Sequence, residues 1–353
     1  MKNGRSGCRR GSYLTLDGCR GTLHVPRPTP WLWKLATVTC ALALAGMLGS
    51  PALAYPTKPI RFVVTFAPGG GTDIVARAMS QKFTESLGQP VVVENRAGAN
   101  GNIGTDYVAK SPPDGHTLVM TTNATIVINP HLYKKLPFNP LTDLAPVSEI
   151  ASLPFVLAVH PTVPAKTVKE LIALAKATPK GLTYGSSGTG GGAHLAGEMV
   201  KNMAHINIIH VPYKGGGPAI IGLLSGEVDF MFISILTVTP LLSNKRLRPI
   251  AVTSATRNKS LPDVPAMSEL PLLKGAESDL WYGMLAPANT DRKIVEILAN
   301  ETKRVLALPE FRDRFEPSGT VLVGSSPAVF SARIKGDYER WGKVVKAAGI
   351  SIE

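Results

Sequence analysis

From Ile60 onward the chain repeats one pattern: a short apolar run, a glycine-rich turn, then a stretch with helical periodicity. The first unit is IRFVVTFA (60–67), PGGG (68–71) and TDIVARAMSQKFTESLG (72–88). Within it Ile74, Ala78, Met79, Phe83 and Leu87 recur at helical spacing, and Gly88 ends the run. Thr72 or Asp73 is the expected cap, because a side-chain oxygen there accepts a free N–H of the first turn. The alternation continues through VVVEN, a short helix near 105–110, HTLVMTTN and PFVLAVHP (154–161). It restarts with a helix over 167–177, then LTYGS, HLAGEMVKNM, IIHVPY, GPAIIGLLSG and VDFMFI. A helix near 236–243, RPIAVTS and WYGMLAP (281–287) follow, and from Thr290 the chain is mostly helical, over 291–306, 310–315 and 328–348. Strands alternating with helices predict an α/β fold of mainly parallel sheets flanked by helices. With no Pro/Gly/Ser linker between halves, lobes joined by crossing strands are expected rather than separate beads.

The first 54 residues break this pattern. They carry seven Lys/Arg and one acid, Asp17, and then an uncharged run, LATVTCALALAGMLGS (35–50). Ala52-Leu53-Ala54 follows, a small-x-small cleavage pattern before Tyr55. A basic segment, a short apolar run and an A-x-A site predict a secretory signal peptide over 1–54. The run is shorter than the ~20 apolar residues that span a bilayer. Cys8, Cys19 and Cys40 all fall in this leader, so residues 55–353 contain no cysteine. Disulfides, thiolate metal sites and cysteine nucleophiles are excluded there together. The formal charge of +13 would raise nucleic acid or an anionic membrane as partners, but the leader holds +6 of it and leaves a modest +7.

Glycine clusters at 69–71, 188–192 and 215–217 each stand after a strand and before a helix. This arrangement suits an anion, because glycine lets backbone N–H groups approach and the helix N-terminus adds positive partial charge. Tight turns serving backbone geometry alone are the plain alternative. No Gly-Lys-Ser/Thr follows any cluster, so none is a P-loop. Dinucleotide binding at GTGGGA would need an acid near the end of IIHVPY, which has none. GSSGT (185–189) misses the G-x-S-x-G elbow at its last position. Ser186 and Ser187 are therefore expected as hydroxyl donors rather than nucleophiles. The histidines lack metal-ligand spacing, and neither a metal nor a cofactor is expected. His194 is placed by its helix to face a ligand or to serve as a plain surface or core histidine. Asp73 is expected as a cap rather than a base. Basic residues are not interleaved with stacking aromatics, which argues against nucleic acid.

The blocks YPTKPIRFVVTFAPGGGTDIVARAMSQKF, GQPVVVENRAGANGNIGTDYVA, PPDGHTLVM and HLYKKLPFNPLTDLAPV resemble the Bug-type (TctC-like) receptors of tripartite tricarboxylate transporters. LTYGSSGTGGGAHLAGEM, HVPYKGGGPA, RPIAVTSATR, LPDVPAMSEL and WYGMLAP extend the resemblance in order to nearly the whole chain after the leader. It implies a two-lobed, type II-like periplasmic binding protein, exported and non-catalytic, with a small organic carboxylate clamped in the cleft. Lobe 1 would span 55–155 and 282–353, lobe 2 would span 156–281, and PFVLAVHP and WYGMLAP would cross between them. The carboxylate would be held by backbone N–H groups and waters of two loops. These supply Phe66, Pro68, Gly69, Gly70, Gly71, Thr72 and Asp73 on one side. Ser186, Ser187, Gly188, Thr189, Gly190, Gly191 and His194 come from the other, with Thr122, Asn123 and Tyr213 nearby. The implied partners are the membrane permease subunits, and a monomer is expected. Family members often carry an acid where this chain has Ala219-Ile220-Ile221-Gly222, and a polar or acidic residue where it has Ile233-Ser234-Ile235. Those departures would suit a less polar, aromatic or monocarboxylic ligand. The rival class is a secreted α/β enzyme, esterase- or dehydrogenase-like.

Overall fold

The structure, a computed structural model, describes residues 55–274 and 278–348. The expected leader and its cleavage site lie outside the described residues. Strand β1 (Ile60–Val64) is followed by α1 (Gly71–Leu87), β2 (Val91–Asn95), α2 (Asn102–Ala109) and β3 (Thr117–Thr122). A π-helical turn over Ala124–Ile128 and the short α3 (Asn129–Leu132) lead to the 16-residue β4 (Leu144–Val159). Then come α4 (Val168–Ala177), β5 (Leu182–Ser186), α5 (Gly192–Ala204), β6 (Ile208–Pro212) and α6 (Gly216–Leu224). β7 (Phe230–Ser234), α7 (Ile235–Ser243) and β8 (Arg248–Val252) follow, and after them β9 (Asp279–Pro287) and α8 (Arg292–Leu306). α9 (Pro309–Phe315), β10 (Val321–Leu322) and α10 (Pro327–Ala348) complete the described fold.

The strand order is β2-β1-β3-β9-β4-β7-β5-β6, with β8 and β10 also on β4. The expected parallel pairing forms two cores, β2-β1-β3 and β6-β5-β7. The strands between them are antiparallel, because β9 and β4 run past one another in opposite senses. β4 binds the halves into one sheet. Its residues Leu144–Pro154 pair with β9, Phe155–Val159 pair with β7 and Val156–Val159 also pair with β8. At this passage Phe155 N–H donates to Thr253 Oγ1 (3.0 Å), and the Thr253 hydroxyl donates to Ser278 O (2.6 Å).

The same topology positions the site. In both cores the strand that follows the first crossover lies on one side of β1 or β5, and the next strand lies on the other. The loops leaving β1 and β5 therefore splay apart and open a crevice at the carboxyl ends of the strands. Those loops carry the first two glycine clusters. The main core packs Phe62, Met79, Phe83, Phe155, Tyr184, Phe230 and Phe232 against both halves of the sheet. A second cluster, with Trp281, Phe330, Ile334 and Trp341, lies beneath α10.

Helix α1 begins at Gly71 with Gly70 as its cap, so neither Thr72 nor Asp73 caps it as expected. Asp73 lies within the first turn, and its carboxylate accepts Gly69 N–H (3.0 Å), Asn95 Nδ2 (2.9 Å) and Arg77 Nε (3.1 Å). It ties the loop back onto the helix. Burial alone would push this carboxyl up, but the bonds from Arg77, Gly69 and Asn95 hold it below the usual carboxylate range.

Candidate functional site

Where the two halves face each other, a cavity of about 50 Å³ lies between the glycine loops. One buried water needs roughly 10–15 Å³ by this measure, so the space suits a carboxylate group or a few waters. Four helices start at its wall: α1 through Gly70, Gly71 and Thr72, α5 through Gly191 and Gly192, α6 through Gly216, and α7 through Ser234 and Thr237. The first N–H groups of a helix have no intrahelical acceptor and carry positive partial charge. The rest of the wall is apolar, with Phe66, Phe155, Met231, Phe232 and Leu280, or neutral and polar, with Asn100, Thr122, Ser187 and Tyr282. Among the described residues no Asp, Glu, Lys, Arg or His lines it. An anion there meets oriented dipoles without any cationic side chain.

Of the residues expected to bind ligand, Phe66, Gly70, Gly71, Thr72, Thr122, Ser187 and Gly191 line this cavity. Gly188, Thr189 and Tyr213 line a groove of about 340 Å³ that adjoins it at Phe66, Asn100 and Ser187. Pro68 and Gly69 line an apolar groove on the other flank, with Ile74, Ile221 and Leu241. Asp73, Asn123, Ser186, Gly190 and His194 line none of these spaces and act behind the wall. Asn123 Nδ2, for example, donates to Asp279 O (2.8 Å). Sequence reasoning passed over Asn100, Phe155, Gly216, Thr237 and Leu280, and it read Tyr282 first as core and second as cleft wall. Gly216 belongs to the third glycine cluster, so its signal was already present. Asn100 stands in a loop read only as Gly/Asn-rich, and it adopts a left-handed backbone (φ 51°) beside Ala99 (φ 46°). Two such residues in succession are strained, and strain of this kind concentrates at functional sites.

The halves touch across the cleft. Ala67 N–H donates to Lys214 O (3.2 Å), and Gly217 lies so close to the first loop that a Cβ on it would meet Pro68 O at 2.3 Å. The structure is thus a closed form.

A buried polar cluster shapes the second loop from behind. The Ser186 oxygen lies 2.6 Å from His210 Nε2 and accepts Gly188 N–H (3.2 Å). Gly190 N–H donates to His194 Nδ1 (3.0 Å), and the His194 ring stacks on His210 with centroids 4.0 Å apart. The Ser186–His210 contact has the outline of a nucleophile–base pair that the spacing did not suggest. Ser186 is fully buried, however, and its oxygen is engaged by the loop backbone. His210 is backed by a second histidine rather than by an orienting acid. The cluster therefore holds loop geometry.

Burial depresses both imidazoles. His194 lies below its ordinary value despite Glu198, and His210 is lowered to about 3 by burial and by His194. An unfolded chain takes up these protons near the ordinary histidine value, so their contribution to stability is complete above about pH 6.5. It is lost as the pH falls from there toward about 3. The thermal midpoint of the wild type should drop on acidification from pH 7.5 to 4.5, and His210→Gln should flatten that drop. Identical slopes for the two proteins would refute this origin.

The match to known proteins agrees with this geometry. The family model "Tripartite tricarboxylate transporter family receptor" matches residues 75–350. BugT of Bordetella pertussis is 35% identical over 322 residues, covering 90% of this chain and 98% of its own length. The R. palustris protein Rpa4515, solved with adipate, is 35% identical with a TM-score of 0.81, covering 84% of this chain and 99% of its own. MatC from Rhodopseudomonas palustris, solved with bound malate, is 29% identical with a TM-score of 0.79, covering 82% of this chain and all of its own. These relatives are solute-binding receptors rather than enzymes, and the α/β, two-lobed architecture is theirs as well. The chain belongs to the tripartite tricarboxylate transporter receptor family.

Proposed function

We propose that this protein is a periplasmic receptor that captures a small organic carboxylate and delivers it to the permease of a tripartite tricarboxylate-type transporter. The observation that carries this is the convergence of four helix N-termini on a cavity without charged side chains. Helix dipoles and free N–H groups satisfy a carboxylate there, and waters in the cavity complete its hydrogen bonds at little cost. The two sheet halves act as lobes, roughly 55–155 with 282–353 and 156–281. They turn about the Phe155–Thr253–Ser278 knot, so that ligand binding selects the closed form that the permease engages. Adipate and malate, held by two relatives, set the first ligands to try.

The test is a thermal-shift screen of residues 55–353 against mono-, di- and tricarboxylates, followed by mass analysis of the retained acid. A receptor gains stability without consuming its ligand, about 2.7 kcal/mol at a hundredfold excess over Kd. Stabilisation by a nicotinamide cofactor, or turnover of an ester, would favour the enzyme class and overturn this assignment.

A further inference from the structure

Asn100 is 6% exposed and lines the cavity, yet its Oδ1 has no hydrogen-bond partner. The orientation of its amide follows from its neighbours. Asn129 Nδ2 donates to Asn100 O (3.1 Å) and to Asn102 Oδ1 (2.7 Å), which uses both of its hydrogens. A backbone carbonyl only accepts, so Asn129 cannot be turned the other way. Asn129 Oδ1 therefore faces Asn100 and accepts its Nδ2 (2.8 Å). The remaining Asn100 atom, Oδ1, is left pointing across the cleft at the second loop. It lies 3.2 Å from the place a Cβ on Gly191 would occupy and 3.4 Å from the equivalent place on Gly188.

The other unpartnered atom in the wall is Thr122 Oγ1, on a residue 7% exposed. A hydroxyl rotates and can donate to a carboxylate. An amide oxygen cannot. Asn100 Oδ1 is thus an unpaired acceptor on a wall that also carries four helix N-termini, whose first N–H groups favour an anion. A ligand that offered only carboxylate oxygens and carbon would leave it buried and unpaired, or would bring two acceptors together.

We infer that Asn100 is a specificity-determining residue that reads a hydroxyl on the bound carboxylate. This rests on the receptor function proposed above and narrows its ligand class to hydroxylated acids. An ammonium donor fits less well, because no acid lines the cavity. The Asp73 carboxylate of the first loop is already committed to Gly69, Asn95 and Arg77. Positioning is built in through the chain Asn102–Asn129–Asn100, all three of which are buried.

The experiment is calorimetric titration of the protein with matched pairs: malate against succinate, lactate against propionate, and 4-hydroxybenzoate against benzoate. The best-bound pair should favour its hydroxylated member by about five- to a hundredfold, the span expected for leaving a buried acceptor unpaired. Asn100→Gly keeps the left-handed backbone and removes the amide. It should bring the ratio close to one chiefly by strengthening the deoxy acid, which no longer leaves a buried acceptor unpaired, a gain that a merely structural role would not produce. Equal wild-type affinities within every bound pair would mean that water satisfies Oδ1, and this would overturn the inference whether or not the variant folds. A variant that weakens both members alike would overturn it as well. Binding of none of the six acids, nor of any acid in the thermal-shift screen, would instead sink the receptor function on which it rests. A preference for aspartate over both malate and succinate would reassign the donor to an ammonium and overturn the hydroxyl.

Discussion

Gly217→Ala is expected to weaken carboxylate binding by about ten- to a hundredfold while leaving the thermal midpoint of the ligand-free protein unchanged or slightly raised. A Cβ on Gly217 would lie 2.3 Å from Pro68 O and 3.3 Å from Gly69 C, both backbone atoms of the opposite loop. A side-chain tip could swing aside, but these atoms are fixed by β1 and by α1. Gly217 does not need a left-handed backbone, and it sits in the first turn of α6, where alanine is the better helix former by up to about 1 kcal/mol. The methyl group therefore strains only the closed arrangement. If the closed form is the one that holds ligand, apparent affinity falls in proportion to its lost population. Titration of the acid found by the thermal-shift screen, with a melting curve of each ligand-free protein, checks both halves. Gly216→Ala is the control, since its Cβ would meet nothing closer than Gly70 Cα at 3.6 Å, and a much smaller change is expected. Unchanged affinity in Gly217→Ala would show that ligand is held without this close approach.

The largest expected loss of stability is at Asp337. Its carboxylate accepts the Trp281 indole N–H (2.9 Å) and Arg333 Nε (2.7 Å), and Arg340 lies 3.3 Å away. Trp281 is fully buried in β9, edge-on to Phe330, so these bonds fasten α10 onto the sheet. Asp337→Ala leaves the indole N–H with no acceptor in a dry core and removes one of the two carboxylates that neutralise Arg333. Asp279, the other, remains in contact with Arg333. Orphaning a buried donor costs about 1–3 kcal/mol and breaking a buried ion pair several more, but Arg333 keeps a partner. A net loss of about 2–4 kcal/mol is expected, which lowers the thermal midpoint by roughly 3–6 °C for a chain of this size. Asp337→Asn keeps an acceptor for the indole and should recover part of the loss. Equal losses in the two variants would assign the whole effect to charge.

How much of this was legible beforehand can be judged element by element. The helices and the strands of the two parallel cores follow from period and punctuation, because each is a local pattern, several of them opened by glycine. Strand β4 is the exception. It begins at Leu144, well before the apolar PFVLAVHP. The stretch between carries Pro146, Ser148 and Glu149, and the register shifts twice against β9, so no simple alternation survives. The glycine loops were legible for the same reason as the helices, since an N-terminus without side chains is itself a sequence pattern. Asn100 was not, and Tyr282 reads from sequence first as core and only second as cleft wall. Asn100 reaches the cavity through its left-handed backbone and its bond to Asn129. Tyr282 does so only because β9 packs beside β4.

The sequence by itself determined that this is a cysteine-free α/β chain after its first 54 residues, with glycine-opened helix N-termini suited to an anion, and it carried the family resemblance. Helix dipoles and turn geometry are local, so residue order suffices for them. Only the tertiary structure decided that a third loop, with α7, joins the first two at one cavity, and that His194 and Ser186 stand behind the wall. It alone showed an amide oxygen among the donors. Those facts depend on which distant segments the sheet brings face to face, and strand order is not written in any local period.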